Sequence, residues 1–564
     1  MSITRITGGE LKNTSTSMKL SANDGNYQFN SPTKNQWQGN EDGIIEDNYE
    51  APNKEDVLSN SINVRLNLFF DGTQNNKTNT ESRSTNSKNH ATYKKTGNKN
   101  DDSYENDYTN VARLFDAVNP DAENQVAVYI EGIGTENLKE DTIFPGVGTG
   151  MGDTGIAAKV TKGCLDAAIQ MDEKGYSGKE IDYLYVNVYG FSRGAAAARH
   201  FVHVANKNAN YSRKKKIDDK NTTYHIFPEY FFNDNIHQFD ITVENTSFID
   251  KYGYFGACLV YQGMKIKKIV YNFVGIYDTV ASDGVYHGND VSDLKLNSVS
   301  KANYVYHIAS EDEYRENFDL SNINSCGLRG LEIKLPGVHS DIGGSYLNNM
   351  KELSVLDNIL TVDNEEDKKV AKASREKRYD SFRKIVVDEG WYTNSQLSNE
   401  FFYEKDFDPH TKWYQNQYNY GLVGRRTLFN TYDKIPLDLM INKSKGFAVK
   451  YLSKKVEANQ INDAFINKVY NQLKNYVKAC SDSRDSYLKK YDQKTLNAYN
   501  KELSLKYSEG LKAIQYTNYL DVADLKKLRN EYLHWSVKSN LFGLSARKDG
   551  PLVQSKRKRE IHNG

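Results

Sequence analysis

The stretch Gly190-Phe191-Ser192-Arg193-Gly194 constrains the fold of this chain more than any other. An apolar β-type run, Tyr183-Leu184-Tyr185-Val186-Asn187-Val188-Tyr189, leads into it, and the helix-forming run Ala195-Ala196-Ala197-Ala198-Arg199 follows at once. The order is strand, tight turn, helix, with a serine at the apex, which is the pattern of a nucleophile elbow. Both glycines fit that reading, since a helix passing close to its own strand leaves little room for side chains in the turn. The helix start sets backbone N–H groups beside the serine, where negative charge develops on an attacked carbonyl. The pentapeptide alone also occurs in ordinary loops; the flanking strand and helix carry the functional reading.

Other runs place this elbow in a sheet. Ile62–Phe70, Gln125–Ile130, Lys268–Tyr277 and Leu331–Leu335 read as strands, and Tyr304–Ala309 reads as a helix or a short strand. Helices are expected from Thr109-Asn110 onward and over 156–171. Strands apolar on both faces and separated by helical stretches predict an α/β-hydrolase-like, mostly parallel sheet with helices on both faces. Function in such sheets gathers just past the carboxyl ends of the strands. The loops beginning at Asp71, Gly190, Asp278 and Pro336 all start there.

The chain divides into a polar N-terminal extension (1–60), a catalytic domain (61–355) and a mainly helical C-terminal module (356–564), a candidate membrane-facing cap. Two insertions interrupt the catalytic domain. Residues 74–107 are low-complexity Asn, Lys, Thr and Ser, and read as mobile; 207–265 carry mixed short strands. The stripe Val456, Ile461, Phe465, Val469, Leu473 and Val477, with Ile466, Tyr470 and Tyr476 beside it, reads as a helix core face, with a lipid-binding face as the alternative. The basic run Lys556-Arg557-Lys558-Arg559 reads as a solvated terminus, with contact to anionic headgroups as the alternative.

Lys plus Arg number 74 and Asp plus Glu number 74, so the formal net charge is zero, which argues against nucleic acid as a partner. The four cysteines, Cys164, Cys258, Cys326 and Cys480, form no CxxC pair. That is neither a disulfide framework nor a zinc pattern, and it fits synthesis in a reducing cytoplasm. Met1 to Leu20 has no apolar signal-peptide core, and no long apolar run predicts a membrane span. Export would need a machine that reads no cleavable signal. A G-x-G-x-x-G match at Gly150, Gly152 and Gly155 does not follow a strand, so it reads as a loop and no cofactor is expected.

A serine nucleophile needs a base, and the base needs an acid to fix its tautomer. α/β-Hydrolases supply these in the order serine, acid, histidine, and Ser192, Asp278 and His339 obey it, each just after an expected strand. His200, His203, His225, His237, His287 and His307 compete for the base, and Asp283, Asp312 and Asp341 for the acid. Asp341, two residues from His339, could orient a loop instead. The oxyanion hole is expected from backbone N–H groups of Arg193, Gly72 and Thr73. A carboxylate at Asp71 is odd beside an oxyanion, so its side chain is expected to cap local N–H groups; a divalent metal held there is the alternative.

The motifs Phe69-Phe70-Asp71-Gly72-Thr73-Gln74-Asn75, Thr109-Asn110-Val111-Ala112-Arg113-Leu114, Gly190-Phe191-Ser192-Arg193-Gly194-Ala195, Ile276-Tyr277-Asp278-Thr279-Val280, His307–Arg315 and Pro336-Gly337-Val338-His339-Ser340-Asp341-Ile342-Gly343-Gly344 occur in that order. Together they resemble the catalytic domain of the first family of type VI secretion lipase effectors, over about 60–350. The resemblance implies an antibacterial phospholipase, mainly of A2 type with A1 activity as the alternative or addition, with the phospholipid bilayer as substrate. It implies injection into a rival's periplasm, a cognate immunity protein and a spike-protein carrier, with Ser192, Asp278 and His339 at the carried-over positions. A soluble esterase or thioesterase, and a non-catalytic spike-associated adaptor, are the alternatives.

Overall fold

Alternating side chains along apolar strands bury two faces at once, and the chain uses this to build one sheet between two cores. The computed structural model describes residues 61–564 except 96–100, 143–150, 233–235, 282–289, 407–415, 492–500, 538–544, 547–556 and 558. Six strands form the main sheet: β1 Ile62–Phe70, β2 Gln125–Ile130, β3 Glu180–Phe191, β4 Lys265–Tyr277, β5 Tyr304–Ser310 and β6 Gly330–Leu335. Their spatial order is β6-β5-β4-β3-β1-β2 and every neighbouring pair is parallel. The run with the ambiguous pattern is therefore a strand, β5, buried at each of its residues.

Val64, Leu66, Leu68 and Phe70 of β1 enter one core with Val186 and Val188 of β3. Phe69, Tyr189 and Phe191 enter the other. Each fully buried side chain of this size contributes about 1.5–3 kcal/mol. The first core is closed by α2 (Ile156–Glu173) and α3 (Arg193–Val204). The second is closed by α1 (Asn110–Ala117), capped by the Thr109 hydroxyl on Ala112 N–H, and by C-terminal helices Lys434–Lys445 and Ala464–Lys490. Residues Ile62–Gly564 form one compact unit.

Three expectations change. Residues 74–107, where described, are not a structureless loop but short helices at Lys77–Ser82, His90–Lys95 and Asp102–Glu105. Their polar side chains bond each other in the interior: Asn79 Nδ2 donates to Ser103 Oγ at 3.0 Å, and Ser103 N–H to Asp141 Oδ2 at 3.1 Å. Low-complexity polar composition hid that order. The insertion at 207–265 has its short strands, Asn210–Lys216, Thr222–Phe227 and Phe239–Val243, but also a helix over Ser247–Tyr261.

The region past 350 holds helices together with an antiparallel sheet of β7 Met350–Thr361, β8 Leu397–Tyr403 and β9 Tyr418–Leu428, in the order β7-β9-β8. Its strands carry charge inward: Arg426 and Glu352, both buried, pair at 2.7 Å. A register shift at Val355/Asp357 also breaks the alternation. Both features mask a period of two. In the long C-terminal helix the buried face is Ile466, Val469, Tyr470, Leu473, Tyr476 and Cys480, with Phe465 and Val477 at its margin. Val456 and Ile461 precede that helix.

Candidate active site

The turn from β3 to α3 is as tight as the sequence requires. Ser192 sits at φ 59°, ψ −131°, a region that costs a non-glycine residue about 1–3 kcal/mol. A Cβ on Gly190 would lie 2.4 Å from Gly194 O, and one on Gly194 would lie 2.1 Å from Asp71 O. Both contacts are with backbone, which cannot swing away. Gly194→Ala is therefore expected to lower stability by about 3 kcal/mol through overpacking. Urea unfolding checks this, and an unchanged midpoint would contradict it.

The neighbouring strand brings the acid to the serine. Ser192 N–H donates to Tyr277 O at 3.1 Å, and Val280 N–H donates to Ser192 O at 3.4 Å. Asp278 lies between those two residues, fully buried, at φ 39°. Its Oδ2 is 2.5 Å from His339 Nδ1. His339 opens a short helix, His339–Gly343, just past β6, and its ring lies 4.6 Å from the Phe191 ring beside the serine. The structure thus gathers Ser192, Asp278 and His339 at the carboxyl edge of the sheet. The bond to Asp278 assigns the proton to Nδ1 and turns the lone pair of the imidazole to Nε2.

The competing groups do other work. Asp341 accepts Val338 N–H at 2.9 Å and contacts His534 Nδ1 at 2.7 Å, so it orients the histidine loop. Asp312 accepts Gly337 N–H at 2.8 Å and pairs with Arg529 at 3.1 Å. His307 contacts Glu332 at 2.9 Å through Nδ1 and accepts Thr279 N–H at 3.1 Å, which fixes the loop carrying Asp278. His200 and His203 contact Leu294 O and Ser298 Oγ, and His225 contacts Asp240. The His237 ring lies tilted against the Phe232 ring, 4.1 Å between centroids. Asp283, His287, Gly150 and residues 1–60 lie outside the described residues.

The loop after β1 faces the elbow. Asp71 accepts Gly72 N–H at 2.7 Å, the Thr109 hydroxyl at 2.6 Å and the Tyr129 hydroxyl at 2.5 Å. Burial pushes its carboxyl up to about 6 against those three donors. These bonds engage both oxygens within the protein and tie up the Gly72 N–H. The Thr73 N–H has no partner among the described residues. Thr73 Oγ1 accepts the Arg193 Nε–H at 2.8 Å, which joins this loop to the first turn of α3.

Charge at the site is arranged around Asp278. Burial alone would raise its carboxyl, yet Arg559 and His339 hold it far below the usual carboxylate range. Burial pushes the His339 imidazole below its ordinary value; Asp278 and Glu313 oppose that, and Arg315 adds to it. The neutral imidazole is the form able to accept a proton. The acid limb of kcat/KM is accordingly expected below the ordinary histidine value of about 6.5. A pH–rate profile on a short ester checks this, and a limb centred near or above 7 would contradict it.

Arg559 is the residue that sequence reading missed. It belongs to the basic run read as solvated, yet its side chain is buried against Asp278, with Nη1 2.6 Å from Oδ1 and Nη2 2.9 Å from Oδ2. Arg557 is buried too, paired with Glu389; Lys556 and Lys558 lie outside the described residues. A buried carboxylate needs a cation, but nothing local in the sequence shows which of 74 Lys and Arg supplies it.

Fold and site together define an α/β protein with a polar centre at the carboxyl edge of a parallel sheet. The family model described as the type VI secretion phospholipase effector Tle1-like catalytic domain matches residues 64–362. The chain belongs to this family of type VI secretion phospholipase effectors. It is also similar to the solved structure of the Tle1 effector bound to the VgrG spike from the type VI secretion system. That match has 18% identity and a TM-score of 0.51, over 89% of this chain and 94% of that one. At this identity the likeness is one of fold. A crystal structure of an uncharacterized protein from Pseudomonas aeruginosa matches at 18% identity and a TM-score of 0.27, over 51% of this chain and 42% of that one. No curated protein matches the chain.

Proposed function

We propose that this protein hydrolyses the acyl esters of glycerophospholipids, at the A2 position, the A1 position or both, through an acyl-enzyme. The observation that carries the reading is the 2.5 Å contact between Asp278 and His339 beside a serine held at positive φ. His339 Nε2 takes the proton of the Ser192 hydroxyl as its oxygen attacks the ester carbonyl. The oxyanion is held by the backbone N–H groups of Arg193 and Thr73; Gly72 shapes that loop while its own N–H caps Asp71. Collapse expels the lysophospholipid alcohol, which takes the proton from His339. Water, deprotonated by His339, then releases the fatty acid and restores Ser192.

Family membership supports delivery by a type VI secretion machine as an antibacterial toxin. A spike protein is the proposed carrier, as for the Tle1 effector solved with VgrG. The bilayer of the target cell, reached from its periplasm, is the proposed substrate, and an immunity protein the proposed safeguard of the producer. No helix among the described residues is long and apolar enough to cross a membrane. Purified protein is expected to bind a fluorophosphonate covalently at Ser192 and to release fatty acid from phospholipid vesicles. Labelling without release from vesicles, alongside rapid turnover of short soluble esters, would favour a soluble esterase instead.

A further inference from the structure

The segment 559–564 returns to the catalytic edge after a stretch outside the described residues. Ile561 and His562 pair in parallel with Leu320 and Ser321. Leu320 N–H donates to Glu560 O at 2.9 Å and Asn322 N–H to His562 O at 2.9 Å. The Asn563 side chain accepts from Asn322 and Asn324 at 2.9 and 2.8 Å, and His562 Nε2 is 3.1 Å from Asp319 Oδ2. The seat is narrow, since a Cβ on Gly564 would lie 2.0 Å from Arg199 Nη2. It is held by hydrogen bonds and the buried Arg559–Asp278 pair more than by apolar contact: Ile561 is 40% exposed. A segment with so little apolar burial opens at lower free energy than the sheet it lines.

This segment delivers the only guanidinium bonded to Asp278 among the described residues. Arg559 meets the carboxylate fork to fork, its Nη1 also donates to Ser310 Oγ at 3.0 Å, and its Nε donates to Phe318 O. Ser310 N–H donates to Asp278 Oδ1 at 2.8 Å. Oδ1 thus receives Ser310 and Arg559, while Oδ2 receives His339 and Arg559. Bidentate pairing fixes the plane of a carboxylate as well as its charge. Without it, a buried carboxylate beside one imidazole could rotate or draw a proton onto that ring.

Resting on the proposed roles of Ser192, Asp278 and His339, we propose that Arg559 is a positioning residue for the reaction, and that the catalytic centre is complete only when segment 559–564 is docked. Arg559 holds Asp278 in the plane that receives the His339 Nδ1–H and shares its negative charge. The other charged groups facing His339 are Glu313, whose Oε2 accepts the His339 N–H at 3.3 Å, and Arg315, paired with Glu313 at 2.8 Å and set over the Phe318 ring that meets His339 edge-on. Both remain when Arg559 is replaced; Arg559 also helps hold the Glu313 carboxyl low, behind burial and the closer Arg315, so the change at His339 reports the loss of Arg559 directly and, in part, through Glu313.

The test compares full-length Arg559→Gln and Arg559→Lys with the unaltered protein, on a short chromogenic ester and on vesicles, with fluorophosphonate titration counting competent sites. For Arg559→Gln, kcat per titrated site is expected to fall on the order of 10²-fold with little change in KM, the size of a misplaced catalytic group. The acid limb of kcat/KM is expected to move to higher pH by about one unit, as Asp278 turns its full charge on the imidazole. Arg559→Lys should restore the position of the limb and part of kcat, since it returns the charge without the fork. His562→Ala, which loosens the segment away from the reacting atoms, should lower kcat in the same direction. Per-site kcat and acid limb unchanged in Arg559→Gln, even with a lowered melting temperature, would make the residue purely structural and overturn the proposal. Failure of the unaltered protein to label at Ser192 would instead overturn the hydrolase reading itself.

Discussion

Replacing Ser192 by alanine is expected to lower phospholipid hydrolysis about 10⁶-fold in kcat, the scale seen when a serine hydrolase loses its nucleophile. In the proposed mechanism the Ser192 oxygen is the atom that forms the acyl-enzyme. The substitution removes one oxygen from a residue already at φ 59°, so the strain of the turn is unchanged. Stability should therefore stay within about 0.5 kcal/mol. Fatty-acid release from vesicles, read beside a thermal melt, separates the two effects. A variant that keeps more than a thousandth of the activity with its fold intact would exclude Ser192 as the nucleophile. The same substitution should abolish toxicity when the protein is directed to the periplasm of a susceptible bacterium. Retained killing would favour the adaptor reading over the lipase.

Asp278→Asn is expected to act twice. An amide can present its NH₂ to His339 Nδ1, which favours the tautomer with the proton on Nε2 and removes the base. The corresponding change in a serine protease costs about 10⁴ in kcat. The same substitution leaves Arg559 buried without its counter-charge. Breaking a buried pair from one side destabilises by about 3–5 kcal/mol. Activity per titrated site and the denaturant midpoint should both fall. Loss of activity alone, with an unchanged midpoint, would mean that Arg559 leaves its seat when the pair is broken. Unchanged activity would remove Asp278 from the reaction.

Much of the main sheet was legible because its signals are local. Ile62–Phe70, Gln125–Ile130 and the run before the elbow are apolar strands with clear ends, and each appears within a few residues of its expected bounds. The order of Ser192, Asp278 and His339 at three strand ends was legible for the same reason. β7 and β9 were not, since they carry Glu352 and Arg426 inward. An inward charge reads as surface until its partner is known. The short helices between 74 and 107 were hidden likewise, because Asn79 and Ser103 satisfy one another where apolar residues usually pack.

The local chain by itself determined the elbow. Two glycines around a serine, between an apolar strand and a run of alanines, leave the backbone few other courses, because any larger side chain there would meet backbone atoms. It also determined which residue types wait at the strand ends. Only the tertiary structure decided which of them meet. Asp278 faces His339 because β4, β5 and β6 lie side by side, and Arg559 joins them from 281 positions away. Electrostatic pairing in a buried site depends on distance in space, and a sequence records distance only along the chain.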